Sequence, residues 1–494
     1  MYLNSFSRIP QWLVAVHRPD FSVNGLVYKK VPEWSKSGSP VDMVAFSSSR
    51  EIASRHNAYN DLIEYSYSND IGDPSGQFSL TFVPSVDSVG RGWKEKLNKM
   101  DIVVIQEFEK SRFVGVILDV RYSMEISSGK PKRTVSVTGL SFGGMIRGYN
   151  LSMNVYLWYG NGQTAESLNT DLVQALNSKV NETQDLNKIL SVITEKFFSV
   201  VFGSQELKGF LFWVNKFVKF DTATLESYYP RIFSVFEVQS NNLWDIYRKV
   251  LTSPIYEIFG KFNPVDDSYV ITCRETPFDY DDWNALPIKK IDPLHLVSHS
   301  FSKGSDPVYT HYYSTMPNAE FSENENNARA DLQNVSQFDY PRLWVYGYNQ
   351  LQAMFTFYNV DRGNDIDFSS EQFLKDNSVR MYNWFNHNDE FESGEIVLMN
   401  VPDENNDMID VGERISFIGG EFYMEKYTRS MSYPSSMKTT LKVTRGYEYG
   451  KTPLSIDGTI QIDSRGSIVY SPHKGPIRNV MQKLVNVEKE GVNG

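Results

Sequence analysis

Residues 101–139 and 410–446 carry the same strand-rich pattern, and this repetition constrains the fold more than any other feature. In the first stretch, β-branched and aromatic runs are separated by Gly, Ser and Pro. Hydroxyl-bearing residues at 134, 136 and 138 alternate with valines. Such alternation predicts antiparallel strands with one buried face.

The two stretches also match in order and spacing. In each, an acidic residue precedes the first strand and an aromatic residue begins the second strand twelve positions later, Asp101 to Phe113 and Asp410 to Phe422. A Thr-containing third strand then ends at a glycine. This predicts an internal duplication that gives two similar barrels or sandwiches. The alternative is a chance likeness of two β-meanders, because alternation and turn residues are generic.

Composition narrows the class of protein. A hydrophobic content of 41% supports real cores, and 14% aromatic residues suit β-rich packing more than a helical bundle. The net charge of -11 argues against binding of nucleic acid or other polyanions by the protein as a whole. Cys273 is the only cysteine, which excludes an intrachain disulfide and a multi-cysteine metal site. The first residues lack the features of a signal peptide, and no apolar run is long enough to span a membrane.

Helical periodicity appears between and beside the repeats. Apolar spacing predicts two amphipathic helices over 165–180 and 185–202, and Asn242 caps a predicted helix beginning at Leu243. Residues 256–262 and 268–274 form a predicted hairpin, and Ser369 opens a further helix.

Signals for catalysis and metal binding are poor. The segment Gly139–Gly144 lacks the Lys-Ser/Thr pair of a phosphate-binding loop. His295 and His299 have helical spacing but no His-Glu-x-x-His context. The run Asp361–Asp367 resembles the start of a calcium loop, yet Ile366 stands where that loop needs glycine.

Two further candidates have simpler explanations. The acidic cluster Asp279–Asp282 contains carboxylates of the kind a glycosidase uses, but an exposed turn explains it equally well. Cys273 falls in the predicted hairpin as a buried small hydrophobe with no histidine partner in view. We therefore expect no enzyme: no catalytic residues, no cofactor and no metal site.

The order of segments resembles the central baseplate hub proteins of phage tails and contractile injection particles. The resemblance lies in the barrel 63–139, with Trp93 ahead of its core strands, in the helix and hairpin unit 242–278, and in the closing strands of 393–446. It covers residues 55–450, and the succession of segments carries it rather than any single motif.

The resemblance implies a fold and a mechanical role. Each chain would hold two barrels related to the tail-tube protein, and a homotrimer would form a ring of six barrels. That ring would join the hexameric tail tube to a trimeric spike, contact baseplate wedge proteins, and let DNA pass its channel without specific binding. The protein would belong to the baseplate of a virion or phage-tail-like particle assembled in the bacterial cytoplasm.

The expected fold class is α+β and β-dominated, with two tail-tube-like antiparallel β-barrel domains and inserted helical and mixed α/β domains. The expected domains are an N-terminal arm (1–54), a first barrel (55–150), a helical insertion (151–229), a mixed α/β middle domain (230–390), a second barrel (391–450) that may borrow strands from 300–360, and a C-terminal tail with a possible spike contact (451–494).

Two alternative functions stay open at this point. A β-rich receptor- or carbohydrate-binding tail protein would also be rich in tyrosine, and it would show surface aromatic residues in a groove. A cell-wall hydrolase would need a catalytic carboxylate or zinc arrangement.

Overall fold

The structure is a computed structural model, and it describes most of the chain. The described residues are 11–22, 27–37, 39–127, 130–148, 187, 190–191, 194, 217–222, 225, 243–263, 266, 268–278, 280–315, 336–355, 370–403, 406–433, 437–448, 461–462 and 468–470.

Strands dominate the described residues, which confirms the β-dominated α+β class. The strands are β1 (Trp12–His17), β2 (Met43–Phe46), β3 (Leu62–Asp70), β4 (Asp73–Phe82), β5 (Ile102–Glu107), β6 (Lys110–Ser127), β7 (Lys130–Ser141), β8 (Val218–Asp221), β9 (Tyr256–Asn263), β10 (Ser268–Glu275), β11 (Ile288–Lys290), β12 (Leu296–Lys303), β13 (His311–Thr315), β14 (Ser336–Phe338), β15 (Gln350–Met354), β16 (Glu392–Met399), β17 (Arg414–Phe417), β18 (Gly420–Ser432), β19 (Met437–Glu448), β20 (Gln461–Ile462) and β21 (Ile468–Tyr470).

The α-helices are short apart from the last. They are α1 (Arg50–His56), α2 (Trp93–Lys96), α3 (Phe142–Gly148), α4 (Leu243–Val250), α5 (Tyr280–Ala285), α6 (Tyr340–Tyr346) and α7 (Ser370–Phe385). In the described part of the chain, none of the helices has the length and apolar character needed to cross a membrane.

Thirteen strands form one sheet. Its main path runs β12-β16-β19-β18-β3-β4-β7-β6-β5-β1-β2, while β17 pairs with β18 and β11 pairs with β17. Smaller sheets, β8-β10-β9 and β14-β13-β15, belong to the middle of the chain.

The internal duplication is visible in the strand order. We call β3 to β7 the first module, and β12 with β16 to β19 the second module. The first runs β3-β4-β7-β6-β5 across the sheet, and the second runs β12-β16-β19-β18-β17. Five strands thus recur in one order, although the second module takes its first strand from 296–303, far ahead of the rest.

The turn between the third and fourth strands is also repeated. Phe108 and Glu109 have φ of 51° and 66° in the first module, and Ile418 and Gly419 have φ of 46° and 75° in the second. Positive φ at both central residues is the requirement of a tight type I′ hairpin turn. The same backbone solution therefore closes both hairpins, with different side chains.

The surroundings of strand β6 change at a bulge that follows Ile117, about halfway along the strand. We call α4 and the β8-β10-β9 sheet the middle unit. Val114 and Val116 pack into the core that contains this unit, and Phe113 and Ile117 pack into the core shared by the two modules. The pairing of β6 with β7 then shifts register between Ile117 and Asp119. Such a bulge reorients the strand that follows. Beyond it, β6 is paired on one side only.

Most segments predicted from the sequence lie where expected. The hairpin β9-β10 pairs in antiparallel register, and helices begin at Leu243 and Ser370. The helices predicted over 165–180 and 185–202 and the run 361–367 lie almost entirely outside the described residues. The predicted domain boundaries stay predictions, and the N-terminal segment supplies β1 and β2 to the large sheet.

Gly139 gives the first test, because no side chain fits there. A Cβ at this position would overlap the Val116 carbonyl and the Phe78 ring. We expect Gly139→Ala to lower the free energy of unfolding by about 1–3 kcal/mol, as overpacking of a core does. The measurement is urea unfolding, with Thr138→Ala on the exposed face of the same strand as control. Equal midpoints for the two variants would contradict the close approach.

Candidate functional site

The candidate site is the joint between the two modules. Strand β18 of the second module pairs antiparallel with β3 of the first, from Lys426 opposite Asp70 to Ser432 opposite Glu64. Backbone hydrogen bonds therefore continue from one module into the other, and the paired edges are closed to any other strand. The sequence predicted two modules but gave no sign of this continuity.

A buried carboxylate lies beneath the joint. Glu107 is fully buried at the end of β5, where its two oxygens accept hydrogen bonds from the hydroxyls of Tyr65 (2.8 Å) and Tyr67 (2.9 Å) on β3. Burial, together with the nearby Glu107 charge, raises the pKa of both phenols well above the ordinary range. Both phenols therefore remain protonated and act as donors.

An arginine from the second module completes this polar cluster. Arg429 on β18 donates to the hydroxyl of Tyr67 (3.3 Å) and to the carbonyl of Ile409 (2.5 Å), and its guanidinium lies 4.2 Å from the centre of the Tyr427 ring. Burial alone would lower the pKa of Arg429, but the charges around it, including the carboxylates of Glu107 and Asp410, raise it above its usual value. The arginine thus stays charged inside the joint.

A loop also reaches across the joint. The segment between β16 and β17 contacts the β5-β6 turn of the first module, where Asn406 Nδ2 donates to the Phe108 carbonyl (3.0 Å). Arg112 donates to the Asn406 carbonyl (2.8 Å), and Lys110 pairs with Asp407 (3.2 Å). The two modules are therefore held at a strand edge and at a turn.

The middle unit is fixed to the second module by a further buried cluster. Arg274 on β10 donates to Glu257 on β9 (3.0 Å), to the Gly412 carbonyl (2.9 Å) and to the Tyr423 hydroxyl (2.8 Å). The Tyr423 hydroxyl in turn donates to Glu257 (2.6 Å). Each of the three side chains is hydrogen-bonded to the other two, as suits a buried network.

Two acidic residues meet just before β17. The backbone amide of Asp410 donates to Glu413 Oε2 (3.0 Å). Burial raises the pKa of Glu413 to about 7, and the nearby Asp410 charge adds to the effect. Burial likewise raises the pKa of Asp410. Because the pKa of Glu413 is about 7 in the folded chain, we expect the stability of the folded chain to depend on pH near neutrality.

Among the strand edges that lack a partner in the described part of the chain, two correspond to the edges that form the joint. The first is β6 beyond the bulge, which pairs only with β7. The second is β12, which pairs only with β16 and is largely exposed. These are the strands equivalent to β18 and β3, which form the joint inside the chain. An exposed edge of this kind presents unpaired backbone groups that pair readily with a strand of another chain.

The residues that the sequence offered as candidates for catalysis or metal binding do not lie together in the structure. His295 ends a short 3-10 helix, while His299 lies on β12 with its ring 5.2 Å from that of Phe301. Burial raises the pKa of the Cys273 thiol far above its ordinary value, so it is inert. Asp282 lies on α5 and is exposed. No group of three metal-binding side chains occurs among the residues that the structure describes.

Neither Glu107 nor Arg429 was identified from the sequence as a functional residue. A signal was present for Glu107, because Val103, Ile105 and Glu107 share one face of β5 and the valine and isoleucine are core residues. A charged side chain at an inward position predicts a buried partner. Its hydrogen-bond partners are Tyr65 and Tyr67, and Arg429, which donates to Tyr67, is 322 positions from Glu107 along the chain, so the sequence alone did not identify the cluster.

Comparison with known proteins found neither a matching family model nor a matching curated protein. Among solved structures, the chain is similar to a tail protein from Neisseria meningitidis MC58, with 10% identity over 78% of this chain and 93% of that one at a TM-score of 0.43. It is similar to the 43 kDa tail protein of prophage MuSo2 from Shewanella oneidensis, with 11% identity over 78% and 94% at a TM-score of 0.41.

A third similar structure is a component of the E. coli type VI secretion system, with 8% identity over 81% of this chain and 78% of that one at a TM-score of 0.33. Two of the three are tail proteins, and the third is described as structurally similar to the T4 bacteriophage tail proteins gp27 and gp5. All three TM-scores lie below 0.5.

The buried arginine gives a test of the joint. We expect Arg429→Met to lower the free energy of unfolding by about 3 kcal/mol, because the Ile409 carbonyl and the Tyr67 hydroxyl lose a charged donor in a buried site. Urea unfolding at constant pH measures this. Arg121→Met, at an exposed arginine on β6, is the control. A joint of little energetic importance would leave the two variants equally stable.

Glu413 gives a test by pH. Its pKa is about 7 in the folded chain against an ordinary 4.5, so the folded form binds the proton more tightly. Its contribution to stability is therefore complete below the ordinary value and is lost as pH rises towards 7. We expect Glu413→Gln to be more stable than the unaltered protein by about 1–3 kcal/mol at alkaline pH and equally stable in acid.

Urea unfolding across this pH range measures the difference, with Glu395→Gln at an exposed position of β16 as control. A pH-independent effect of Glu413→Gln would show that titration of this carboxyl is not the cause.

Proposed function

We propose that this chain is the structural hub of the baseplate in a phage tail or a phage-tail-like contractile particle. In this role, three copies form a ring of six modules that joins the hexameric tail tube to a trimeric spike. The observation that carries the proposal is the edge-to-edge joint of two modules with one strand order. A repeat of this kind lets three polypeptides present six similar contacts.

The joint inside the chain gives the geometry for a joint between chains. Inside the chain, the fourth strand of one module pairs with the first strand of the other. Between chains, β6 of one copy would pair in the same way with β12 of the next. The contact is head to tail, and its repetition gives a closed ring when the rotation between copies is a third of a turn. In that ring, the free edges of β6 and β12 are all paired.

Side chains beside the two free edges support the same pairing. Tyr122, Met124 and Ile126 follow the bulge of β6 and are 45%, 54% and 70% exposed. They continue the inward face of β6, because Tyr122 lies opposite the buried Val135. On β12, the Phe301 ring packs on that of Phe422 (4.9 Å) and faces inward too. Pairing would bring these apolar surfaces together and remove them from water.

The number of copies follows from the resemblance to hub proteins. Two modules per chain and a sixfold tube require three chains, and a threefold ring also matches a trimeric spike. The proposal places the protein in the baseplate of the particle, with tail tube, spike and wedge proteins as partners and assembly in the bacterial cytoplasm.

The opposite face of the sheet suits a passage. Hydroxyl side chains line a cavity of about 370 Å³ that crosses the joint, among them Ser66, Ser79, Thr138 and Thr428. Small neutral hydroxyls make weak contacts with a passing polymer and do not hold a polyanion by charge. The net charge of the whole chain, -11, also disfavours tight binding of DNA, so we expect DNA to pass through the ring without specific binding.

A second candidate function is binding of a receptor or a carbohydrate. The observation in its favour is a group of exposed aromatic residues on and after α6, where Trp344 is 75% and Tyr348 is 64% exposed. Flat aromatic rings in water are typical of binding surfaces. A glycan screen with Trp344→Ala as the matched variant tests this. Among the described residues, no observation favours a cell-wall hydrolase.

The hub proposal predicts the mass of the protein in solution. We expect light scattering to give about 170 kDa, three times the chain mass of 56.8 kDa, and negative-stain averages to show six lobes around a hole. The double variant Tyr122→Asp with Met124→Asp should fold and remain a monomer, because both side chains are about half exposed in the single chain.

The control is Ser123→Asp, on the opposite face of the same strand, which should remain a trimer. A wild-type monomer at all concentrations, or a trimer unaffected by the double variant, would contradict the β6-β12 pairing.

A further inference from the structure

We propose that the loop 83–92 of the first module binds the β17-β18 turn of a second copy of this chain. The inference rests on the proposed ring, and it identifies a contact surface that strand pairing alone does not require. Three observations support it: an equivalent contact inside the chain, a repeated loop structure, and exposed apolar residues at both of the surfaces concerned.

The equivalent contact is the one between the second module's loop and the first module's turn. Asn406 and Asp407 of that loop hold Phe108 and Lys110 at the β5-β6 turn through one hydrogen bond and one ion pair. The loop lies between the second and third strands of its module, and the turn lies between the third and fourth strands of the other. Each element has a counterpart in the opposite module.

The counterpart loop has the same backbone structure. In the second module, Asp403 N donates to the Asp407 carbonyl (2.9 Å) and Asn406 N donates to the Asp403 carbonyl (3.0 Å). In the first module, Asp87 N donates to the Arg91 carbonyl (2.9 Å) and Gly90 N donates to the Asp87 carbonyl (2.9 Å).

Side chains and dihedral angles repeat as well. The carboxylates of Asp87 and Asp403 each accept a bond of 2.8 Å from the backbone amide four residues later. Gly90 and Asn406, at the same place in each turn, have positive φ of 83° and 58°. Gly90 thus corresponds to Asn406, the residue that contacts the neighbouring module inside the chain.

The first-module loop and the second-module turn both expose apolar side chains. Val86 and Val89 flank Asp87 and are 67% and 73% exposed, and Ile418 at the tip of the β17-β18 turn is 66% exposed. Hydrogen bonds at its two ends hold the loop in place, because Asp61 accepts from Trp93 (2.8 Å) and Ser85 (2.5 Å). An ordered apolar loop loses little conformational entropy on binding.

The contact inside the chain shows which loop would meet which turn between two chains. Where β18 pairs with β3 inside the chain, the loop after β16 reaches the β5-β6 turn. Where β6 pairs with β12 of a second copy, the loop after β4 would reach that copy's β17-β18 turn. The contact inside the chain is polar and charged, whereas Val86, Val89 and Ile418 would form an apolar one. This difference would prevent the two loops from exchanging partners. The apolar loop, placed against the β5-β6 turn, would leave the polar groups of that turn unpaired.

Cross-linking between two different single variants tests the contact. Chains with Val89→Cys and chains with Ile418→Cys are mixed, assembled and treated with a short bis-maleimide, and Cys273 does not interfere because it is buried. We expect a covalent dimer in the mixture and none with either variant alone. A matched mixture of Thr138→Cys and Ile418→Cys chains should not cross-link, because Thr138 lies on the face of the sheet that lines the cavity.

A second variant measures the energetic contribution. Val86→Asp with Val89→Asp places charges on an exposed loop without burying them, so the monomer should fold normally. We expect the dissociation constant of the trimer to rise at least about tenfold.

The outcomes separate this inference from the hub proposal. A trimer that neither cross-links nor weakens in the Val86→Asp/Val89→Asp variant overturns the loop contact and leaves the hub in place. A chain that is monomeric at all concentrations overturns both.

Discussion

The structure depends on the pairing of strand edges. A strand at the edge of a sheet presents unpaired backbone donors and acceptors, which cost free energy when they are buried and promote association when they are exposed. Inside this chain, β18 and β3 meet that requirement for one pair of edges and join the two modules. The other pair, on β6 and β12, has the same place in its modules. The proposed ring is the arrangement in which every such edge is paired in the same way.

Burial of charge makes the internal joint specific. Glu107, Tyr67 and Arg429 form a polar cluster that is costly to desolvate, and its hydrogen bonds link the two modules because Tyr67 lies on β3 and Arg429 on β18. In the second module, the position of Glu107 at the end of the third strand is taken by Phe417, whose ring lies 5.5 Å from that of His299. One joint is therefore polar, and the surface available for the other is aromatic.

The duplication thus preserved the backbone and changed the side chains. The type I′ turns and the loop hydrogen bonds repeat, because strand twist and chain reversal allow few solutions. Side chains at the contact surfaces carry no such restriction. In the proposed ring, this divergence would let a chain distinguish its own second module from that of a neighbouring copy.

Alternating Val and Thr residues, turn glycines and helix caps determined the strands β5 to β7 and β17 to β19, the β9-β10 hairpin and the duplication itself. These are local features, since side-chain period and turn chemistry act over a few residues. Only the tertiary structure decided that β12 joins β16 across about ninety residues, that β18 continues into β3, and that Glu107 meets a cluster containing Arg429. Contacts of this range depend on which surfaces the folded modules bring together, and that information is not present in any local pattern.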